Sequence, residues 1–270
     1  MAAASFRWLN KSYFQESNEH GMIQSRLAGR IETKYIVGNE VAAEVLRTAS
    51  QYLKPDRGLT EPQRITSLYL DSPDFTFLQW HQEARRHRFK LRIRGYGETP
   101  NQLYAEIKQR IGDVGRKRRA EFSPAALKFV LGGGDGRVRA SIGDFYPDLT
   151  EFIQKRNAFR AEPKVMVRCY RESLRQAGST GETAVTADYQ IKSRAASDWD
   201  VSGVTNAWEP VRLPGSNESE TAVIELKYNQ EPPAWMKSLM LNLAPHRVRF
   251  SKYRAAVQPA YWNCVACSSE

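Results

Sequence analysis

The chain has 270 residues, 41% of them hydrophobic, with 40 lysines and arginines against 30 acidic residues and a formal net charge of +10. That suffices for one large domain or two small ones, and the excess of cations points to anionic partners: nucleotides, polyphosphate, nucleic acid or an acidic membrane surface. No apolar run is long enough to cross a bilayer, no apolar stretch follows the N-terminus as in a secretion signal, and three cysteines (Cys169, Cys264, Cys267) make no disulfide framework, so a reducing, cytoplasmic setting is expected.

Residues 1–28 carry scattered aromatics (Phe6, Trp8, Tyr13, Phe14) and read as a segment that packs on the main domain or is flexible. Residues 30–37 are rich in β-branched side chains and predict a strand. Gly38 breaks it. Asn39 is expected to cap a helix whose stripe is Val41, Val45, Leu46, Ala49 and Leu53, ending before Pro55. Residues 54–64 read as loop and 65–71 as a second strand. Ser72 and Pro73 then cap and open a short aromatic helix with Phe75, Phe77, Leu78 and Trp80.

The next stretch alternates strictly. Arg88, Lys90, Arg92 and Arg94 are basic, while Phe89, Leu91 and Ile93 between them are apolar. A strand sends successive side chains to opposite faces, so four cations line one face and three apolar groups the other. Residues 103–110 are its hairpin partner, Gly112 and Gly115 the turn, and 116–122 a further basic strand. Ser123 and Pro124 open a helix that stops at Gly132–Gly134. That glycine run lacks the G-x-x-x-x-G-K-[ST] spacing of a phosphate loop. Residues 148–157 predict a helix with Phe152 and Ile153 inward. Strands follow at 164–171 and 184–188, an exposed loop at 195–220, and a strand at 223–228. Pro232-Pro233 opens a helix through Leu243, and 246–253 reads as a basic terminal strand. Cys264 and Cys267 form a lone C-x-x-C without the second ligand pair that zinc needs.

Charged residues two apart recur on several of these strands: Glu32 and Lys34, Glu106 and Lys108, Glu225 and Lys227. This recurrence predicts a closed sheet whose charged faces share one interior. Such an interior needs an ionic ligand to offset desolvation, and many cations with few carboxylates imply a polyanion plus a metal ion. The expected fold class is α+β: an antiparallel, eight-stranded, basic-lined β-barrel tunnel with helices packed outside. The domain spans 29–258, followed by a tail at 259–270.

Six stretches resemble one family in order and spacing: Glu32-Thr33-Lys34-Tyr35, Ser67-Leu68-Tyr69-Leu70-Asp71, Arg92-Ile93-Arg94, Glu106-Ile107-Lys108, residues 223–228 and Phe250-Ser251-Lys252-Tyr253. They are similar to the VTC domain, the polyphosphate polymerase domain of the vacuolar transporter chaperone complex and its bacterial relatives, within the triphosphate tunnel metalloenzyme (CYTH-like) superfamily. The resemblance implies a β-barrel tunnel that transfers the ATP γ-phosphate to a growing polyphosphate chain with Mn²⁺ or Mg²⁺. By the same resemblance, Lys34, Arg92, Arg94, Lys108 and Lys252 stand at phosphate-binding positions. Arg119, Arg171, Arg249, Ser251 and Lys227 contact substrate, and Glu225 holds the metal. Glu106 is either a second metal ligand or a partner of Lys108 or Arg94. Arg85 or Arg86 stands at the tunnel mouth. Two positions depart from the pattern: Cys169 replaces a tyrosine and Ala184 an arginine, and losing that clamp lowers affinity or shifts acceptor preference.

The expected partners are ATP and polyphosphate or tripolyphosphate. Nucleic acid rests on charge alone, since no RNA-recognition motif or zinc-finger spacing is present. Eukaryotic relatives act beside transmembrane subunits, so a membrane partner and the oligomeric state stay open. Two alternatives share the fold: a hydrolase of tripolyphosphate or nucleoside triphosphates, with water as acceptor, and a non-catalytic polyphosphate-binding module.

Overall fold

The structure, a computed structural model, describes residues 30–112, 114–127, 149–176, 183–201, 208–215 and 220–257. The expectations for residues 1–28, the helix end at Gly132–Gly134 and the Cys264/Cys267 pair lie outside these residues.

Among the described residues, ten strands and four α-helices precede a short C-terminal helix at 252–257; in chain order they are β1 (Arg30–Gly38), α1 (Asn39–Ser50), β2 (Lys54–Pro55), β3 (Gln63–Asp71), α2 (Thr76–Gln82), β4 (His87–Tyr96), β5 (Leu103–Ile111), β6 (Val114–Phe122), α3 (Thr150–Ala158), β7 (Glu162–Arg175), β8 (Ala184–Ala195), β9 (Glu209–Pro210), β10 (Thr221–Asn229) and α4 (Ala234–Asn242). Eight strands form one antiparallel sheet in the order β1-β10-β8-β7-β3-β4-β5-β6, and the two-residue strands β2 and β9 attach to β7 and β8.

The expected closed barrel is corrected here. Among the described residues no backbone ladder joins β1 to β6, so the sheet is open. It is nevertheless rolled. β1 and β5 stand six places apart, which in a flat sheet would separate them by roughly 29 Å. Yet Lys108 Nζ on β5 lies 3.4 Å from Glu32 Oε2 on β1. Side chains therefore bridge a gap that the backbone leaves open.

Apolar groups divide between the two faces. Outside, Tyr35, Val37, Ile224 and Leu226 pack against Val45 and Leu46 of α1 and Met236 and Leu239 of α4. Further along, Leu91, Ile93, Ala105 and Ile107 pack against Phe77 of α2 and Phe152 of α3. Phe77, Trp80, Phe89 and Phe159 there form an aromatic cluster with centroid distances of 4.6 to 5.8 Å. Inside, Ile36, Ile65, Val223 and Cys169 meet Phe250, Tyr253 and Val257 of the C-terminal segment.

Several local expectations change. Gly38, not Asn39, is the N-cap of α1, and Val41 faces solvent. α2 begins at Thr76 rather than Pro73. Ser72 Oγ accepts from Thr76 N, and the buried Asp71 carboxylate accepts from the backbone of Ser72, Phe77 and Leu78. β7 and β8 run longer than expected because they pair with each other past a bulge near Arg168/Tyr170. The 195–220 stretch is not wholly exposed: Val201, Val211 and Leu213 are buried. No terminal strand forms at 246–253. That segment makes a single bridge, Arg247 with Tyr35, and residues 252–257 are helical.

Gly95 lies inside β4 rather than ending it. A Cβ there would meet Pro100 Cγ at 2.5 Å and Pro100 Cβ at 2.9 Å, both in a stiff ring. Gly95→Ala is therefore expected to lower stability by about 1–3 kcal/mol, the usual cost of overpacking. Urea denaturation of the two proteins measures it.

Candidate functional site: a cationic inner face

Strand register builds the site. Residues directly opposite across an antiparallel ladder share a face. Starting from Lys34, the pairs Lys34–Glu225, Glu225–Thr186, Asp188–Arg171, Ser67–Arg94, Tyr69–Arg92, Arg92–Glu106 and Glu106–Arg119 carry one face across the sheet. Because the sheet rolls toward this face, its charges converge.

Three buried carboxylates anchor them. Glu225 lies 2.9 Å from Lys34 Nζ, 2.6 Å from Lys227 Nζ and 4.0 Å from Arg171 Nη2. Burial works against its charge, but Lys227, Lys34, Lys252 and Arg171 hold its carboxyl well below the usual range. Asp188 is fully buried and takes a bidentate grip from Arg171, at 2.6 Å (Nε–Oδ1) and 2.7 Å (Nη2–Oδ2), and an ion pair from Lys252. Glu106, 1% exposed, accepts from Arg92 Nε at 2.6 Å and lies 2.6 Å from Lys117 Nζ, 3.7 Å from Arg119 Nε and 3.9 Å from Arg94 Nε. Burial opposes the Glu106 charge too, and Arg92, Arg94 and Lys117 overcome it. Glu32 lies 3.0 Å from Lys34 Nζ. Burial and Glu225 would raise its carboxyl, but Lys108, Lys34 and Lys227 hold it at about 2. On Lys227, burial outweighs Glu225 and brings the amine down to about 8.

The remaining groups fill in the face. Arg92 Nη1 donates to Tyr69 OH at 3.2 Å, and Arg94 Nε donates to Ser67 Oγ at 3.2 Å. The Arg119 guanidinium lies over the Tyr104 ring at 3.5 Å, and its Nε and Nη2 are buried without a hydrogen-bond partner. Lys90 Nζ donates to Ser251 Oγ at 2.8 Å.

Of the residues expected from sequence, Lys34, Arg92, Arg94, Lys108, Arg119, Arg171, Lys227, Lys252, Glu106, Glu225 and Ser251 all take part in this network. Arg249 does not: it is exposed and touches none of these groups. Glu106 pairs with Arg92, Lys117, Arg94 and Arg119 rather than with Lys108. Arg85 pairs with Glu83 and stacks near Trp80. His81 turns its Nε2 to within 3.3 Å of Lys90 Nζ.

Sequence reading placed Lys90 on the cationic face of its strand without giving it a role, and missed Asp188 and Lys117. Asp188 had a legible signal, a carboxylate closing an apolar strand. Lys117 joins Glu106 only through the β5–β6 register, with Lys117 opposite Lys108. As for the departures, Cys169 is buried, and burial together with Asp188 pushes its thiol up to about 11, so it is inert packing. Ala184 sits opposite two cations, Lys227 on β10 and Arg175 on β7.

Ten basic side chains (Lys34, Lys90, Arg92, Arg94, Lys108, Lys117, Arg119, Arg171, Lys227, Lys252) thus face four carboxylates (Glu32, Glu106, Asp188, Glu225) on one rolled surface. A rolled antiparallel sheet with this imbalance presents a concave cationic face, on which uncompensated charge away from water is costly. The particular family follows from comparison. The chain matches the VTC domain model over residues 29–261, and it belongs to that family. No curated protein matches it. Similar solved structures include a candidate adenylate cyclase from Vibrio parahaemolyticus, 12% identical with TM-score 0.42, covering 84% of this chain and 97% of that one. A Pyrococcus horikoshii protein is 10% identical with TM-score 0.42, covering 85% and 97%. A conserved Pyrococcus furiosus protein is 13% identical with TM-score 0.40, covering 83% and 99%.

No group of three or more His, Cys, Asp or Glu side chains among the described residues could cage a metal ion. The donor set fits a different arrangement. Mg²⁺ and Mn²⁺ accept one or two carboxylates when phosphate oxygens complete the shell. Glu225, with Glu32 near it, could supply those carboxylates.

Proposed function

We propose that the protein is a metal-dependent polyphosphate polymerase that moves the γ-phosphoryl group of ATP onto the end of a polyphosphate chain. The observation that carries this reading is the excess of cations over carboxylates on the inner face of a VTC domain, supplied by six strands and the C-terminal helix.

Phosphoryl transfer asks a protein chiefly for positioning and positive charge. A terminal phosphate oxygen of the chain attacks the γ-phosphorus, and the bond to the β–γ bridging oxygen breaks, releasing ADP. Arg92 and Arg94 stand two apart on one strand, so their guanidinium groups can grip successive phosphates. Arg119, with two buried donors unused, adds a third grip from β6. Lys34 and Lys227 flank Glu225 and neutralise charge on the transferring group, and Lys252 does so from the other side of Asp188. Glu225 and Glu32 would hold a divalent cation, which would supply positive charge beside the transferring phosphate.

The test is incubation of the purified protein with ATP and Mn²⁺, with products separated on a gel stained for polyphosphate. A ladder of long chains is the expected result. Orthophosphate without a ladder would move the assignment to a hydrolase. ATP and tripolyphosphate both left intact would leave a binding module.

A further inference from the structure

Lys90 stands apart from the other buried cations on the inner face. Lys34, Arg92, Arg94, Lys108, Lys117, Arg119, Arg171, Lys227 and Lys252 each have a carboxylate oxygen within 4.0 Å. Lys90 has none among the described residues. Its ammonium nitrogen meets Ser251 Oγ at 2.8 Å, His81 Nε2 at 3.3 Å and the Tyr253 ring at 5.8 Å.

Its charged neighbours repel it. On its own strand these are Arg88 and Arg92, on β5 Lys108 directly opposite, and on β1 Lys34. At His81 on α2 the further charge is Arg254 of the C-terminal helix. Asp71 on β3 is engaged by Tyr253 OH and by the N–H groups of Ser72, Phe77 and Leu78. His81 cannot help either. Burial, then Lys90 and Arg88, bring it down to about 3, so it stays a neutral imidazole, and its Nδ1 is buried without a partner.

Resting on the polyphosphate-binding reading, we infer that Lys90, Ser251 and His81 form a phosphoryl subsite that takes up a proton when it fills. In the empty subsite nothing answers the Lys90 charge, and an arriving phosphoryl group supplies the missing counter-charge, so binding favours the ammonium form. Ser251 is already placed to hold that group beside the amine.

The supporting electrostatics have a definite sign. Burial first, then repulsion from Lys108, Lys34, Arg92 and Arg88, hold the Lys90 amine well below the ordinary lysine range. An anion alongside raises it again. Protons bound on complex formation make affinity rise as pH falls, between the bound and free values of the group. Lys227 is also depressed, so the wild type alone does not assign the proton.

The experiment is calorimetric titration of the full chain with tripolyphosphate, without metal or nucleotide, at one pH near 7.5 in two buffers of different ionisation enthalpy. The difference between buffers counts protons. Wild type is expected to take up about one proton more than Lys90→Met, by linkage of a single site. Lys90→Met should also bind at least about tenfold more weakly, as for loss of one charge-assisted contact. Lys90→Arg, which stays charged, should keep much of the affinity yet show the same missing proton. Its fold is checked independently by its binding. Equal proton uptake in wild type and both variants, with binding intact, would overturn the inference and leave the proposed function standing. Failure of the wild type to bind tripolyphosphate would overturn the proposed function instead.

Discussion

Glu225→Gln is expected to lower ATP-dependent chain growth by about 10²–10³-fold, the range seen when one preorganised electrostatic contact to a transferring group is removed. The same change should tighten tripolyphosphate binding measured without metal, by roughly tenfold, the order of one added charge-assisted hydrogen bond. The two effects have opposite signs because Glu225 has two roles. In the proposed reaction it would offer carboxylate oxygens to a divalent cation, and in the structure it occupies Lys34 Nζ at 2.9 Å and Lys227 Nζ at 2.6 Å. Glutamine keeps the shape and removes the charge. The lysines then turn to the phosphates, while the cation loses its protein anchor. A radiolabelled-ATP assay and a tripolyphosphate titration on the same preparation separate the two. Loss of both turnover and binding would show that Glu225 serves only to hold the face together.

Asp188→Asn is expected to cost about 3–5 kcal/mol of stability, because it leaves buried positive charge without its partner. Arg171 holds both oxygens of this fully buried carboxylate and Lys252 closes on it from the C-terminal helix. For a domain of this size the loss corresponds to a Tm lower by roughly 10 °C. Tripolyphosphate should restore part of it, since a ligand at 100 times its Kd adds about 2.7 kcal/mol. In Glu225→Gln the cost should be smaller, because its lysines are long and can turn toward solvent. Acid has the related effect. Burial disfavours the Asp188 charge, but Arg171 and Lys252 hold its carboxyl well below the ordinary 3.8. Stability from this pairing is therefore complete above pH 3.8 and is lost as pH falls toward the folded value. Thermal melts of Asp188→Asn should accordingly lose the steepest part of the wild-type acid dependence.

The strand content, the placement of helices outside and most of the charged face were legible in the sequence, and the reason is local. The alternation of Arg88 to Arg94 fixes which side chains share a face whatever the strand pairs with. Glu106 and Lys108, or Glu225 and Lys227, carry the same information on their own strands. The family resemblance ordered these pieces along the chain. Sequence reading faltered where the answer depended on a partner far away in the chain. The basic stretch 246–253 looks like a strand by pattern, yet it makes a single bridge to the edge of β1, and Lys252 reaches Asp188 from a helix instead. β8 continues past Asp188 because β7 runs beside it to Val165.

Composition and alternation by themselves determined that this protein carries excess cations on one face of antiparallel strands. Those are properties of a residue and its immediate neighbours. Only the tertiary structure decided that the sheet rolls without closing, that Asp188 joins Arg171 to Lys252, and that Glu106 pairs with Arg92 and Lys117 rather than with Lys108. It alone left Lys90 buried on the inner face without a carboxylate among the described residues. Each of these outcomes is set by distances between segments tens of residues apart. Coulomb and hydrogen-bond energies act over a few ångströms, so the choice of partner waits until register and curvature have brought the groups together.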